Sequence, residues 1–163
     1  MDRQIDKFRP GRREALKTGG GVGLLGLLAA AGFLTSGEAL AQQPWNVPAF
    51  TTRSVADAMK ALGASAPLAS KAIQITAADI AENGQLVPIE VTSSIPRTEL
   101  IAILVEKNPN ALSAVFSIPA ETDAFVSTRL KMAESSDVYV LVRAEGRNYV
   151  ARREIRVTLG GCG

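Results

Sequence analysis

Between Val138 and Leu159 the chain reads VYVLVRAEGRNYVARREIRVTL, two alternating runs joined across Glu145-Gly146. Alternation with a period of two sends successive side chains to opposite faces, so each run suits a strand with one buried and one solvated face. In the second run Tyr149, Ala151, Ile155, Val157 and Leu159 share one face, and Arg152, Glu154, Arg156 and Thr158 share the other. The Glu-Gly pair between them predicts a hairpin. Arg153 breaks the rule by falling on the apolar side, which calls for a β-bulge or for an edge or partner contact; the bulge is the favoured expectation.

The same pattern recurs upstream. Seven strands are expected, near residues 72–76, 86–93, 100–107, 112–118, 125–134, 137–144 and 148–159. Turn residues separate them: Asn83-Gly84, Ser94 to Pro96, Asn108-Pro109-Asn110, Pro119 and Ser135 to Asp137. Ile101, Ile103 and Val105 on one strand, with Val138, Val140 and Val142 on another, supply halves of a core. Short strands at this spacing predict an all-β fold, an immunoglobulin-like sandwich of two sheets.

Ahead of the strands lies one helix candidate. Val55, Ala58, Met59 and Leu62 recur at helical spacing, Thr52 or Ser54 is placed to cap the start, and Gly63 ends it. The following ASAPLAS reads as a linker. The expected organisation is a signal segment at 1–41, an extension with a short helix at 42–71, the sandwich at 72–159 and a short C-terminal arm at 160–163.

The first segment has the features of an export signal: a charged start, an apolar stretch and a small-x-small end. Arg12 and Arg13, followed by Ala15, Leu16 and Lys17, resemble the twin-arginine pattern of the bacterial exporter of folded proteins. Residues 19–36 are uncharged and sit at the lower length limit for a spanning helix, so a membrane anchor is the competing reading. Ala39 and Ala41 flank a cleavage site before Gln42, which favours removal. No cysteine occurs in the first 50 residues, so a lipid-modified N-terminus is excluded.

Removal would also change the charge. Six of the 18 basic residues and four of the 16 acidic ones precede Gln42, which leaves twelve of each and no net charge. The basic balance therefore belongs to the signal, and nothing in the remainder predicts nucleic acid, anionic lipid or any membrane as a partner. A neutral periplasmic protein is expected.

Self-contained catalysis is poorly provided for. The chain has no histidine, so Ser-His or Cys-His activation and His-based metal sites cannot be built from it alone. Its one cysteine cannot form an internal disulfide or a thiolate cluster. The GGGVG run lies inside the signal and lacks the Lys-Ser or Lys-Thr of a phosphate loop. No metal site, catalytic residue or bound cofactor is expected.

That cysteine, Cys162, stands in the closing VTLGGCG, with Gly160 and Gly161 before it and Gly163 after it. Buried cysteines pack as small hydrophobes within regular elements, so this placement predicts exposure. Side-chain-free neighbours would let the sulfur enter a narrow cleft on another protein. An ordinary thiol has a pKa near about 8.5, and a nearby terminal carboxylate disfavours the anion further, so activation must come from a partner. Placement alone leaves two readings open: a carrier thiol on an arm, or a frayed tail whose cysteine is incidental or pairs between molecules.

The stretches AENGQLVPIEVTSSIP, IAILVEKNPNALSAVFSIP and FVSTRLKMAESSDVYVLVRAEGRNYVARREIRVTLGGCG resemble the SoxY family, the cysteine-bearing subunits of the sulfur-carrier complex in bacterial thiosulfate oxidation. The likeness covers nearly all of residues 72–163. It implies that Cys162 is the covalent attachment point for the pathway's intermediates and that Gly160, Gly161 and Gly163 match the swinging-arm glycines. It further implies a SoxZ-like sandwich subunit as a stable heterodimer partner. Transient docking is implied to a haem enzyme (SoxAX) that couples thiosulfate to the thiol, a di-metal hydrolase (SoxB) that removes sulfate and a sulfane dehydrogenase (SoxCD). The carrier itself is implied to catalyse nothing and to hold no cofactor beyond the covalently bound sulfur species. The family tail commonly carries one more glycine than this sequence. The reading from another class is an exported structural or adhesion sandwich that dimerises through a disulfide at Cys162.

Overall fold

The computed structural model describes residues 46–159. Two helical turns come first, α1 (Val47–Phe50) and α2 (Val55–Ala61). Nine strands follow: β1 (Leu68–Ala69), β2 (Ile73–Thr76), β3 (Ile80–Ala81), β4 (Val87–Ser93), β5 (Thr98–Val105), β6 (Leu112–Ser117), β7 (Phe125–Leu130), β8 (Ser136–Ala144) and β9 (Arg147–Val157). They form an immunoglobulin-like sandwich. One sheet has the order β1-β9-β8-β5-β6, with β3 also on β9, and the other has the order β2-β4-β7.

The seven expected strands are all present, and two more flank them. β1 lies in the segment read as a linker, where Leu68 and Ala69 pair parallel with Tyr149 and Val150. Ile80 and Ala81 of β3 pair parallel with Arg156 and Val157. Two-residue ladders offer no periodicity to detect, and Pro67 just before β1 is tolerated at a sheet edge.

Alternation makes the core. Val87, Ile89 and Val91 of β4 face inward while Pro88, Glu90 and Thr92 stay exposed. They pack with Ile101, Ile103 and Val105 of β5, Val138, Val140 and Val142 of β8, and Ile155 of β9, all fully buried. β5 is buried on both faces because a second cluster covers the outside of the larger sheet. There Ala102, Leu104 and Leu141 meet Ala49, Ala58, Met59 and Leu62 of the helical extension. The unbroken apolar run from Leu100 to Val105 thus reflects a strand between two apolar layers.

Local chemistry sets the boundaries. Ser54, not Thr52, caps α2: its Oγ accepts from the Asp57 amide at 3.0 Å and donates to the Asp57 carboxylate at 2.6 Å. Thr52 instead donates to the Ala49 carbonyl at 2.7 Å. Gly63 follows the helix with φ of +78°, a conformation that disfavours residues with a Cβ. Glu145 and Gly146 both have positive φ, at 52° and 70°, as a two-residue hairpin turn matched to strand twist requires.

Arg153 corrects the expected bulge. The β8–β9 register runs unbroken from Ser136↔Ile155 to Ala144↔Arg147, with Arg153 directly opposite Val138. The ladder irregularities lie in the pairings of β5, with Glu99 the extra residue against β8 and Ser113 of β6 the extra residue opposite Ile103 and Leu104. Arg153 keeps its apolar-side position because the β2–β3 segment gives it partners. It donates to the Ile75 carbonyl at 3.1 Å and to the Asp79 carboxylate at 2.8 Å. Its Nε is buried without a partner among the described residues.

Candidate functional site

The residues that carry the expected chemistry, Cys162 with Gly160, Gly161 and Gly163, lie outside the described residues, as do Arg12, Arg13, Ala39 and Ala41 of the signal segment. What the structure gives is the platform from which the last glycines depart. β9 is a long strand, and four residues fasten its end. The Val157 amide donates to Ser135 Oγ at 2.9 Å, and the Thr158 amide donates to the Ala81 carbonyl at 3.0 Å. Thr158 Oγ1 donates to the Glu82 carbonyl at 2.7 Å, and the Leu159 carbonyl accepts from the Gly84 amide at 2.7 Å. In turn the Gly84 carbonyl accepts from the Met132 amide at 2.7 Å, beside the fully buried Met132 side chain.

These bonds explain why β3 exists. Two residues could not hold a strand by themselves, but Ile80–Ala81 and the Asn83-Gly84 turn wrap the end of β9 and satisfy its outward backbone groups. Arg153 ties the same segment down through Asp79. Three large apolar side chains nearby stay exposed: Ile80 at 54%, Leu86 at 59% and Leu159 at 69%. They line the segments that bracket the anchor and do not join the core.

From Leu159 to Cys162 is three residues, a span of at most roughly 10 Å between their Cα atoms when extended. Among the described residues, no three or more His, Cys, Asp or Glu side chains are grouped to hold a metal ion, and no helix is long and apolar enough to cross a membrane.

Two ion pairs lie on the surface toward this end. Arg152 reaches Asp137 at 3.0 Å, and Lys107 lies 3.8 Å from Glu134. A side-chain hydrogen bond with Tyr139 and the charge of Asp137 hold the Arg152 guanidinium above its already high ordinary value.

Residues 58–162 match the family model for the sulfur oxidation protein SoxY, a span that runs from the middle of α2 through the cysteine. The chain belongs to the SoxY family. A solved structure of the sulfur carrier protein SoxY from Chlorobium limicola f thiosulfatophilum is 40% identical, superposes with a TM-score of 0.58, and is matched over 63% of this chain and 94% of its own. A structure from work on T cell specificity and activation by the bacterial superantigen toxic shock syndrome toxin-1 superposes with a TM-score of 0.39 at 12% identity, over 52% of this chain and 97% of its own. Likeness that low bears on neither fold nor function. None of the curated proteins matches the chain.

Membership in the SoxY family gives the sandwich its context. From residue 58 onward, everything that the structure describes falls inside the family span, including β1 and β3, the short strands that sequence reading passed over. The hint to β3 was the Ala-Asp-Ile-Ala stretch before Asn83-Gly84, an apolar pair too short to stand out.

Proposed function

We propose that this chain is a periplasmic sulfur carrier that holds intermediates of thiosulfate oxidation covalently on Cys162 and presents them to other enzymes. The observation that carries this reading is the extent of the family match, which runs through residue 162 and so includes the thiol. The anchored end of β9 supports it, because a fixed base and a short glycine tether deliver a sulfur atom at a defined distance from the body.

The chemistry divides between carrier and enzymes. A haem enzyme removes two electrons as the thiol and thiosulfate join in a new S–S bond, with release of the thiol proton. A hydrolase then adds water across the terminal sulfur–sulfonate bond, releasing sulfate and leaving a persulfide. The carrier contributes the sulfur, the tether and a recognisable surface, and is the substrate of each step. Cofactors belong to the enzymes; on this chain the only bound group is the sulfur species.

In the same reading, residues 1–41 direct export through the twin-arginine route by Arg12 and Arg13 and are removed at the Ala39–Ala41 site. The mature chain pairs with a SoxZ-like sandwich. SoxAX-, SoxB- and SoxCD-type enzymes visit the end of the fold marked by Leu159. Reconstitution tests the reading. Mature protein with its partner subunit and those enzymes should sustain thiosulfate-dependent electron release, and Cys162→Ser should abolish it. Undiminished turnover by Cys162→Ser would reject the carrier role.

A further inference from the structure

Of the five asparagines in the chain, only Asn83 is followed by glycine. Asn46 precedes Val47, Asn108 precedes Pro109, Asn110 precedes Ala111 and Asn148 precedes Tyr149. The difference is chemical. A backbone amide nitrogen can attack the side-chain carbonyl of the asparagine before it and close a succinimide ring. A side chain on the attacking residue obstructs that approach, and proline has no N–H to give up.

The turn prepares the electrophile. Asn83 is exposed, and its Oδ1 accepts from the Gln85 amide at 2.8 Å. That bond folds the carboxamide toward the Gly84 peptide. It also sets an N–H donor on the oxygen where negative charge collects when nitrogen adds to Cγ, the arrangement that stabilises an oxyanion.

The nucleophile, in contrast, is restrained. Gly84 is buried, its N–H donates to the Leu159 carbonyl at 2.7 Å, and its carbonyl accepts from the Met132 amide at 2.7 Å. An amide must lose its proton before it attacks, and one engaged with a carbonyl away from water releases that proton only when the bond opens. Leu159 is 69% exposed, so it has little packing of its own to keep the bond closed. The bonds from Thr158 to Ala81 and Glu82 hold it in place.

We infer that Asn83 is a self-modification site, converted to aspartate and isoaspartate by attack of the Gly84 nitrogen, and that the Leu159 hydrogen bond to that nitrogen sets the rate. The Gly84 nitrogen loses its proton to solvent and bonds to Asn83 Cγ, and the side-chain nitrogen takes up a proton and leaves as ammonia. Water then opens one of the two carbonyl–nitrogen bonds of the succinimide. One opening gives aspartate with the main chain unchanged. The other gives isoaspartate, in which the main chain runs through Cβ and Cγ and gains a methylene between residues 83 and 84. The step needs water alone. The added methylene displaces the Gly84 N–H and C=O that hold Leu159 and Met132, so conversion releases the end of β9. Cys162 takes no part, and the inference does not depend on the carrier reading.

The test compares the mature full-length chain with the synthetic peptide AENGQLV in the same neutral buffer. Peptide mass spectrometry and labelling by an isoaspartate-specific methyltransferase follow conversion at residue 83, and hydrogen exchange reads the opening of the Gly84 amide. Asn83 should convert more slowly in the folded chain than in the peptide, by the factor, within about threefold, by which the fold slows exchange at Gly84. Thr158→Pro, which removes the amide bond to Ala81, should speed conversion and Gly84 exchange together by at least about tenfold, with conversion at Asn110 unchanged. Thr158→Val, which loses only the hydroxyl bond to Glu82, disturbs the fold less and should move both rates the same way by a smaller factor. In the isoaspartate form the Val157 and Thr158 amides should exchange faster than in the parent. Asn83→Asp, which has the charge without the altered backbone, should leave them unchanged. The proposal is overturned by an Asn83 that stays intact while the Gly84 amide exchanges, or by one that converts as fast as in the peptide. Thr158 variants that leave both rates unmoved or move only one, or an isoaspartate form with Val157 and Thr158 still protected, would overturn it as well.

Discussion

The Leu159 carbonyl and the Gly84 amide are joined by a 2.7 Å hydrogen bond, which fixes the last described residue of the chain to the turn after β3. In the carrier reading proposed above, the residues beyond that bond serve as a tether. Deleting Gly160 and Gly161 removes roughly 7 Å of reach. The rate at which partner enzymes load the thiol should fall at least tenfold, while titration of the thiol by a small disulfide reagent should be unaffected. Equal loss with both reagents would mean that the deletion disturbs the thiol and not its delivery.

Arg153 and Asp79 make a second such link, with a different energetic standing. The Asp79 side chain is 79% exposed and that of Arg153 is 35% exposed, so the pair is worth at most about 1 kcal/mol. The inner-face position opposite Val138 accepts an apolar chain of similar length, and Arg153→Met is expected to leave urea stability unchanged or to raise it by about 1 kcal/mol. A loss of more than about 2 kcal/mol would show that the buried part of the guanidinium holds more than these two contacts.

The β8–β9 turn predicts opposite effects at adjacent residues. A Cβ at Gly146 meets nothing within 4 Å, so the cost of Gly146→Ala, about 1 kcal/mol, comes from its φ of +70° alone. Glu145 has φ of 52° and its one ion pair, with Arg97, is exposed. Glu145→Asn suits that conformation better and should add a few tenths of a kcal/mol. Thermal unfolding of both variants checks the sign in each case.

Burial on both faces of β5 predicts that the helical extension is part of the folding unit. Ile103→Ala on the inner face and Leu104→Ala beneath the extension, both at fully buried positions, should each cost about 2–5 kcal/mol. Ser54→Ala, which removes the cap of α2, should cost about 1 kcal/mol. A Leu104→Ala cost below about 1 kcal/mol would mean that the extension is loosely held.

The sandwich was legible because its strands alternate: β5, β8 and β9 could be placed on their faces from the order of residues alone. The extra strands were not, since Leu68–Ala69 and Ile80–Ala81 owe their conformation to β9 and not to a pattern of their own. Arg153 misled for a related reason. A charged residue in an apolar row suggests a shifted register, yet here long-range partners 74 and 78 residues away keep the register intact. The cysteine could be singled out by its neighbours, whereas the anchoring of Leu159 to Gly84 joins segments that nothing in the sequence connects.

The central claim is that Cys162 carries sulfur. Intact and peptide mass spectrometry of the mature chain, taken during thiosulfate turnover with its partner enzymes, tests it most directly. The account predicts sulfur-containing adducts confined to the C-terminal peptide, removed by reductant and lost in Cys162→Ser. A free, unmodified Cys162 throughout turnover, or a stoichiometric disulfide dimer whose yield is indifferent to thiosulfate, would contradict it.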